Sequence, residues 1–223
     1  MTLAIFDLDN TLIAGDSDHL WGEFLVEQGI VDARRYRQAN DQFYRDYQLG
    51  RLDIHEYLAF ALELLARHPR ETLEQWRAQF LREQIAPIML PAAEALLRSH
   101  REQGHHLLII TATNEFITAP IADWLGVDTL LATGVEQHNG AYTGKSAGIP
   151  CYREGKVLRM QQWLEETGRD LRGSWFYSDS HNDLPLLEQV DHPVAVDPDP
   201  RLEEEARERG WRIMSLRTEG PEE

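Results

Sequence analysis

Two short stretches of this chain, Leu3 to Leu8 and Leu107 to Thr111, are apolar on both sides of a pleat. A strand with one wet face alternates apolar and polar residues. A strand without that alternation belongs in the middle of a sheet covered by helices on both faces. Ser174 to Ser178, Pro193 to Val196 and a short Trp211 to Ser215 read as further strands, and helical segments separate them. The helices after Pro91 are Ala92 to Gln103, Glu115 to Leu125, Lys156 to Glu166, Leu184 to Gln189 and Arg201 to Arg209. A repeated strand–helix order of this kind predicts an α/β fold, doubly wound and mainly parallel: a three-layer αβα sandwich. Thr129 to Glu136 and Ala141 to Thr143 read as strands around an Asn139-Gly140 turn.

Between the first two strands the chain reads as helix throughout. The segments are Leu20 to Gln28, Ala33 to Leu49, a third that starts after Asp53 and runs to Arg67, and about Glu71 to Gln84. Asp53 is a good N-cap with Glu56 three residues on, and Gly29, Gly50, Pro69 and Pro87 act as stops. Aromatic and leucine stripes such as Tyr36, Phe43 and Tyr47 read as the packed interior of a small bundle. The expected organisation is a core in two parts, 1–14 and 87–217, a small helical cap at 15–86 inserted after the first strand, and a flexible tail at 218–223.

The chain has 223 residues and a formal net charge of -16. That balance argues against nucleic-acid binding, which needs a basic surface. No stretch approaches the ~20 apolar residues of a membrane span, and the N-terminal apolar run is broken by Asp7 and Asp9, unlike a signal peptide. Cys151 is the only cysteine, so no intrachain disulfide and no cysteine metal cluster is available. The expected location is the cytoplasm. Monomer and homodimer both remain open.

The first strand delivers Asp7-Leu8-Asp9-Asn10-Thr11 to its carboxyl end, where open parallel sheets place ligand sites. Two carboxylates two residues apart point to one face of a continuing strand. A nucleophile at Asp7 and an acid–base group at Asp9 fit that spacing; a capping turn is the bland alternative. A second acidic cluster, Ser178-Asp179-Ser180-His181-Asn182-Asp183, follows the strand Trp175-Phe176-Tyr177 and supplies the oxygen ligands that magnesium prefers. His181 reads as a hydrogen-bonding or solvent-facing residue more than a ligand. Thr111-Ala112-Thr113-Asn114 follows the Leu107 strand; Thr111 and the backbone N–H groups beyond it would cradle a phosphate, or Thr111 and Asn114 would cap the next helix. Lys156 sits at a helix start, where a cation is unfavourable unless an anion lies nearby.

These four clusters, in this order, resemble the haloacid dehalogenase superfamily of phosphohydrolases. The resemblance spans nearly the whole chain. It is closest to the branch with a helical cap after the first motif, which includes phosphoserine phosphatases and histidinol-phosphatase-like enzymes. It implies a Rossmann-like core and magnesium-dependent hydrolysis of a small-molecule phosphate ester. It makes Asp7 the nucleophile and Asp9 the general acid and base, whose carbonyl also touches magnesium. Thr11 orients the site, Thr111 and Lys156 bind the phosphoryl group, and Asp179 is a magnesium ligand. Asp183 lies behind it or holds a metal-bound water, and Asn182 supports the phosphate pocket or the lysine. Two positions depart from the pattern: Ser178 and Ala112 stand where glycine is usual.

The cap bears on the substrate. The family's amino-acid-binding glutamate falls at Asp16, and the arginine expected in a later cap helix is missing, with Arg51 out of register. A carboxylate-bearing substrate wants a bidentate arginine, so phosphoserine is disfavoured. Asp16 and Asp18 favour an amine-bearing ester such as histidinol phosphate. The alternatives are a phosphotransferase that passes the phosphoryl group from Asp7 to an acceptor alcohol, a phosphoserine phosphatase, and a non-enzymatic binding module.

Overall fold

In the computed structural model, which describes residues 2–217, β1 (Leu3–Phe6) is buried at every residue and lies mid-sheet. The expected loose tail lies outside the described residues. Four helices follow: α1 (Ser17–Glu27), α2 (Ala33–Gln48), α3 (Ile54–Arg67) and α4 (Arg70–Phe80), the last running on through a π-helical turn and a 3₁₀ turn to Ile88. The chain then alternates: α5 (Pro91–Glu102), β2 (His106–Asn114), α6 (Glu115–Leu125), β3 (Thr129–His138), β4 (Ala141–Ala147), α7 (Glu154–Thr167), β5 (Trp175–Ser178), α8 (Leu184–Leu187), β6 (His192–Val196), α9 (Pro200–Arg209) and β7 (Arg212–Met214).

The seven strands take the order β4-β3-β2-β1-β5-β6-β7. All neighbours are parallel except β3 and β4, an antiparallel hairpin around Asn139-Gly140. Successive residues of a strand feed opposite faces. Leu3 and Ile5 join Leu108, Ile110, Phe176 and Ala195 in one apolar layer, under α7, α8 and α9. Ala4 and Phe6 join Leu107, Ile109, Tyr177, Val194 and Val196 in the other. Each fully buried Leu, Ile or Phe contributes roughly 1.5–3 kcal/mol relative to exposure.

The helical insertion shares this second layer. Trp21 and Phe24 of α1 and Phe80 of α4 interlock, with Trp21 5.2 Å from Phe80 and 5.8 Å from Phe116 of α6. Arg77 of α4 donates to the Phe116 carbonyl at 2.7 Å with its guanidinium 4.6 Å over that ring. By contrast α2 buries only Asn40. Its residues Asn40, Phe43, Tyr44 and Tyr47 face the carboxyl ends of β1 and β2 across a cavity.

Candidate active site

Pairing of Phe6 with Ile109 on one side and Tyr177 on the other brings the ends of β1, β2 and β5 level. The Asp7 N–H donates to the Tyr177 carbonyl at 2.9 Å, so Asp7 prolongs the ladder by one residue and projects from the sheet edge. Lys156 reaches it from the first turn of α7. Its Nζ donates to Asp7 Oδ1 and to Asp183 Oδ2, both at 2.7 Å. Lys156 is 3% exposed. Burial alone would lower its pKa, but Asp183 and Asp7 raise it, so it stays charged. The anions that this helix start requires are therefore two side chains. Burial pushes Asp7 up to about 7 against the pull of Lys156, with Asp183 and Asp9 adding to the rise.

Asp9 is gripped from both sides. Oδ1 accepts from the Ser17 N–H at 2.6 Å, and Oδ2 accepts from Thr113 Oγ1 at 2.8 Å and more distantly from Thr111 Oγ1 at 3.5 Å. Burial raises it to about 6, with Asp16 adding and the Ser17 and Thr113 bonds opposing. Thr11 is fully buried and exchanges hydrogen bonds with Asp179: its Oγ1 donates to Oδ1 at 3.1 Å and accepts the Asp179 N–H at 3.1 Å. Ser178, where glycine was expected, has no left-handed backbone. Its hydroxyl donates to Asp183 Oδ2 at 2.7 Å and accepts from the Ser180 N–H.

Other residues lie differently from the sequence expectation. Thr111 does not end its strand. β2 continues to Asn114 across a register break after Ile110, so Thr111 and Thr113 share a face and meet Asp9. Asn114 precedes α6 but makes no side-chain cap. Thr113 is the residue that the sequence reading missed, because the continuation of the strand past Thr111 rests on non-local pairing with β3. Asp16 caps α1, and its Oδ1 accepts from the Asp18 and His19 N–H groups at 3.0 and 2.8 Å. Asn182 places its amide between Tyr47 and Tyr152, donating to the Tyr47 carbonyl at 3.0 Å and accepting from the Tyr152 hydroxyl at 3.3 Å, rather than on Lys156. His181 is buried, with Nδ1 bound to Asp199 Oδ2 at 2.7 Å.

Above these groups lies a cavity that opens to solvent. Asp7, Asp9, Thr111 and Thr113 form its floor. The insertion supplies Asp16, Asp18, His19 and a wall of Phe43, Tyr44, Tyr47 and Tyr57. Burial raises Asp16 to about 6, against the backbone bonds of His19 and Asp18 and helped by the Asp18 charge. It raises Asp18 to about 7 against a hydrogen bond from Tyr57.

Asp7 and Asp183 are buried on Lys156, and the half-buried Asp179 is held by Thr11. Asp179 lies well above the usual carboxylate range through burial and then the Asp7 and Asp183 charges. A crowded set of hard oxygens with unbalanced negative charge fits a divalent cation such as magnesium. A separate group in the insertion, His19, Glu23 and Asp41, brings one ligand atom from each within 4.8 Å of the others. Its chemistry also suits a divalent ion, although Glu23 already pairs with Arg37 at 3.0 Å and His19 Nδ1 with Asn40 at 3.1 Å. Among the described residues, no helix is long and apolar enough to cross a membrane.

The sequence matches the haloacid dehalogenase-like hydrolase family over residues 4–188. A histidinol-phosphatase of Neisseria meningitidis serogroup C is 46% identical over 219 residues, covering 96% of this chain and 99% of that protein. A crystal structure of a Bordetella pertussis protein of unknown function superposes with a TM-score of 0.90 at 43% identity, covering 97% of this chain and all of that one. A phosphoserine phosphatase carrying a phospho-aspartyl intermediate analogue gives a TM-score of 0.72 at 17% identity over 98% of this chain and 94% of its own, a likeness of fold.

Proposed function

The chain belongs to the haloacid dehalogenase-like hydrolases and is a phosphatase of that family, and we propose that it hydrolyses an amine-bearing phosphate monoester, histidinol phosphate, through an aspartyl-phosphate on Asp7. The observation that carries this reading is the pairing of opposites across one cavity. On its floor, Lys156 holds a buried carboxylate at the sheet edge, and Asp9 stands beside it. In its roof, the buried Asp18 and the half-buried Asp16 sit among four aromatic rings, and among the described residues no arginine lines the cavity.

One oxygen of Asp7 attacks phosphorus while Lys156 keeps the carboxylate in place and neutralises charge on the phosphoryl oxygens. Asp9, raised toward neutrality, gives its proton to the departing alkoxide. In the second half the same carboxylate, oriented by Ser17 and Thr113, takes a proton from the water that attacks the aspartyl-phosphate. Asp7, the Asp9 carbonyl and Asp179 would hold magnesium, which supplies charge neutralisation at the transferring group. Each hydroxyl has one proton to give, so Thr113 keeps its 2.8 Å bond to Asp9 while Thr111, at 3.5 Å from it, would turn to a phosphoryl oxygen.

The roof supports the substrate class. A carboxylate-bearing ester would place its anion against Asp16 and Asp18 with no guanidinium to receive it. An ammonium group meets acids there, and a flat ring meets Phe43, Tyr44, Tyr47 and Tyr57. The relative from Neisseria, similar over nearly its full length, carries the name of such an enzyme.

Phosphate release from histidinol phosphate, phosphoserine, ethanolamine phosphate and glycerol phosphate, with magnesium and with EDTA, tests both levels. Magnesium-dependent release lost in Asp7→Asn, with kcat/KM for histidinol phosphate at least about tenfold above phosphoserine, is the expected result. Equal rates for all four esters would remove the substrate assignment and leave the chemistry. Release that survives Asp7→Asn would remove the aspartyl-phosphate.

A further inference from the structure

The corner between α2 and α3, Leu49 to Asp53, rests on the loop between β5 and α8 that carries Asp179 and Asp183. Three contacts hold it and the last turn of α2 that leads into it. Asn182 Nδ2 donates to the Tyr47 carbonyl at 3.0 Å. Arg153 Nη1 donates to the Gly50 carbonyl at 3.1 Å. The ring of His181 lies against Gly50 itself: a Cβ there would fall 2.6 Å from His181 Nε2. Gly50 has φ +66, so the position is closed to side chains on two counts, backbone conformation and space.

His181 is nine-tenths buried, and its other edge is fixed. Its backbone N–H and its Nδ1 both meet Asp199 Oδ2 at 2.7 Å. Nδ1 therefore carries the proton toward the carboxylate, and Nε2 has no hydrogen-bond partner. A buried ring nitrogen without a partner is unusual, and here it is the surface on which the glycine sits. Asp199 is itself anchored twice. Its Oδ1 caps α9 through the Arg201 and Leu202 N–H groups at 3.0 and 2.9 Å, and its N–H donates to the Asp179 carbonyl at 2.8 Å. One residue at the start of α9 thus fixes the backbone of Asp179 and the ring of His181.

We propose that His181, clamped by Asp199, is a positioning residue that seats the α2–α3 corner of the cap on the loop bearing Asp179 and Asp183, so that closure of the cavity wall depends on the setting of that loop. Tyr47 in the last turn of α2 and Leu52 in the corner line the cavity wall; α2 is otherwise held by Asn40 and by the half-buried rings of Tyr36 and Phe43 against α3. Seating the corner sets where the aromatic wall stands, so the effect falls on substrate binding more than on the chemical step. The inference rests on the assignment of the acidic loop to the active site and is independent of which ester is the substrate.

The test reads the corner directly. Arg51, with a side chain 63% exposed, offers trypsin a bond in the corner. Cleavage between Arg51 and Leu52 is followed by mass spectrometry in the full chain with EDTA or with magnesium, for wild type, His181→Ala, Gly50→Ala and the double variant. Magnesium is expected to slow cleavage of wild type several-fold. His181→Ala should raise the cleavage rate about tenfold and abolish the magnesium effect, while thermal unfolding shows the rest of the chain intact. Gly50→Ala should act similarly, and the double variant should cleave more slowly than the product of the two single effects, because the clash partner is gone and only the left-handed backbone strain remains. A KM raised about tenfold in His181→Ala with kcat within about twofold is the matching kinetic signature. Cleavage unchanged in His181→Ala, or effects of the two substitutions that multiply independently, would overturn the proposal. Loss of activity with an unchanged corner would also count against it and would return His181 to a purely local role.

Discussion

Asp9 has one oxygen on a backbone N–H at the start of a helix and the other on a strand hydroxyl, and the second bond is the tunable one. The Thr113 hydroxyl lowers the Asp9 pKa by bonding its charged form. Thr113→Val removes that bond at nearly constant volume. The Asp9 pKa should then rise, and the limb of the pH–rate profile that follows Asp9 should move to higher pH. A lost hydrogen bond to a charged group is worth about 1.5–3 kcal/mol, so kcat should fall on the order of tenfold or more. A profile that falls in height without moving would mean that Thr113 serves only the phosphoryl group. Thr111 was legible in the sequence because it stands at the end of an apolar run. Thr113 was not, because nothing local announces that a strand persists through Ala112 and Asn114. The pairing of Asn114 with Thr133, which extends it, is non-local.

Elements with strong punctuation were readable to within a residue or two. Asp32 and Asp53 cap α2 and α3 through their side chains, and the Gly50 stop is where the helix ends. The start of α1 was placed at Leu20 because its apolar pattern begins there. Asp16 instead caps a first turn of Ser17, Asp18 and His19; Asp18 and His19 line the cavity, and Ser17 is fully buried. The π-helical turn at Leu81–Ile85 was invisible because one extra residue in a turn leaves composition unchanged. Packing between α1 and α2 was equally unreadable. Gly22 looks like a weak point in a helix, yet a Cβ there would stand 2.5–2.8 Å from the Asn40 side chain. Asn40, 4% exposed, donates through Nδ2 to the His19 carbonyl at 3.0 Å and holds its ring nitrogen at 3.1 Å. Gly22→Ala should therefore destabilise the chain by about 1–3 kcal/mol despite the better helix propensity of alanine. Each kcal/mol should appear as a fall of about 2–4 °C in Tm. Adding Asn40→Ala should recover part of the loss by vacating the space. A Gly22→Ala variant as stable as wild type would show that α2 yields freely.

Across the whole molecule the net charge of -16 is least comfortable where the acids are buried, and that gives the fold a pH dependence of defined sign. Asp16 and Asp18 rise from 3.8 to about 6 and about 7 in the folded chain. A carboxyl with a raised folded pKa binds more protons folded than unfolded between those values. Stability therefore falls as pH rises from about 4 to about 7 and levels off above. At about 1.4 kcal/mol per unit, Asp18 alone accounts for at most about 4 kcal/mol of that fall. Urea unfolding in EDTA from pH 4.5 to 8 checks this. The midpoint should drop across the window in wild type and drop less in Asp18→Asn, and the difference between the two chains isolates this one acid from Asp7 and Asp9. A wild-type midpoint that is flat over the same range would mean that water reaches these acids and relieves their burial. The same destabilisation is what an ammonium-bearing ligand would remove. Histidinol, the dephosphorylated amine, should raise the midpoint more at pH 7.5 than at pH 5, because only at the higher pH are the roof acids charged and in need of a cation. Glycerol, which lacks the amine, should do neither.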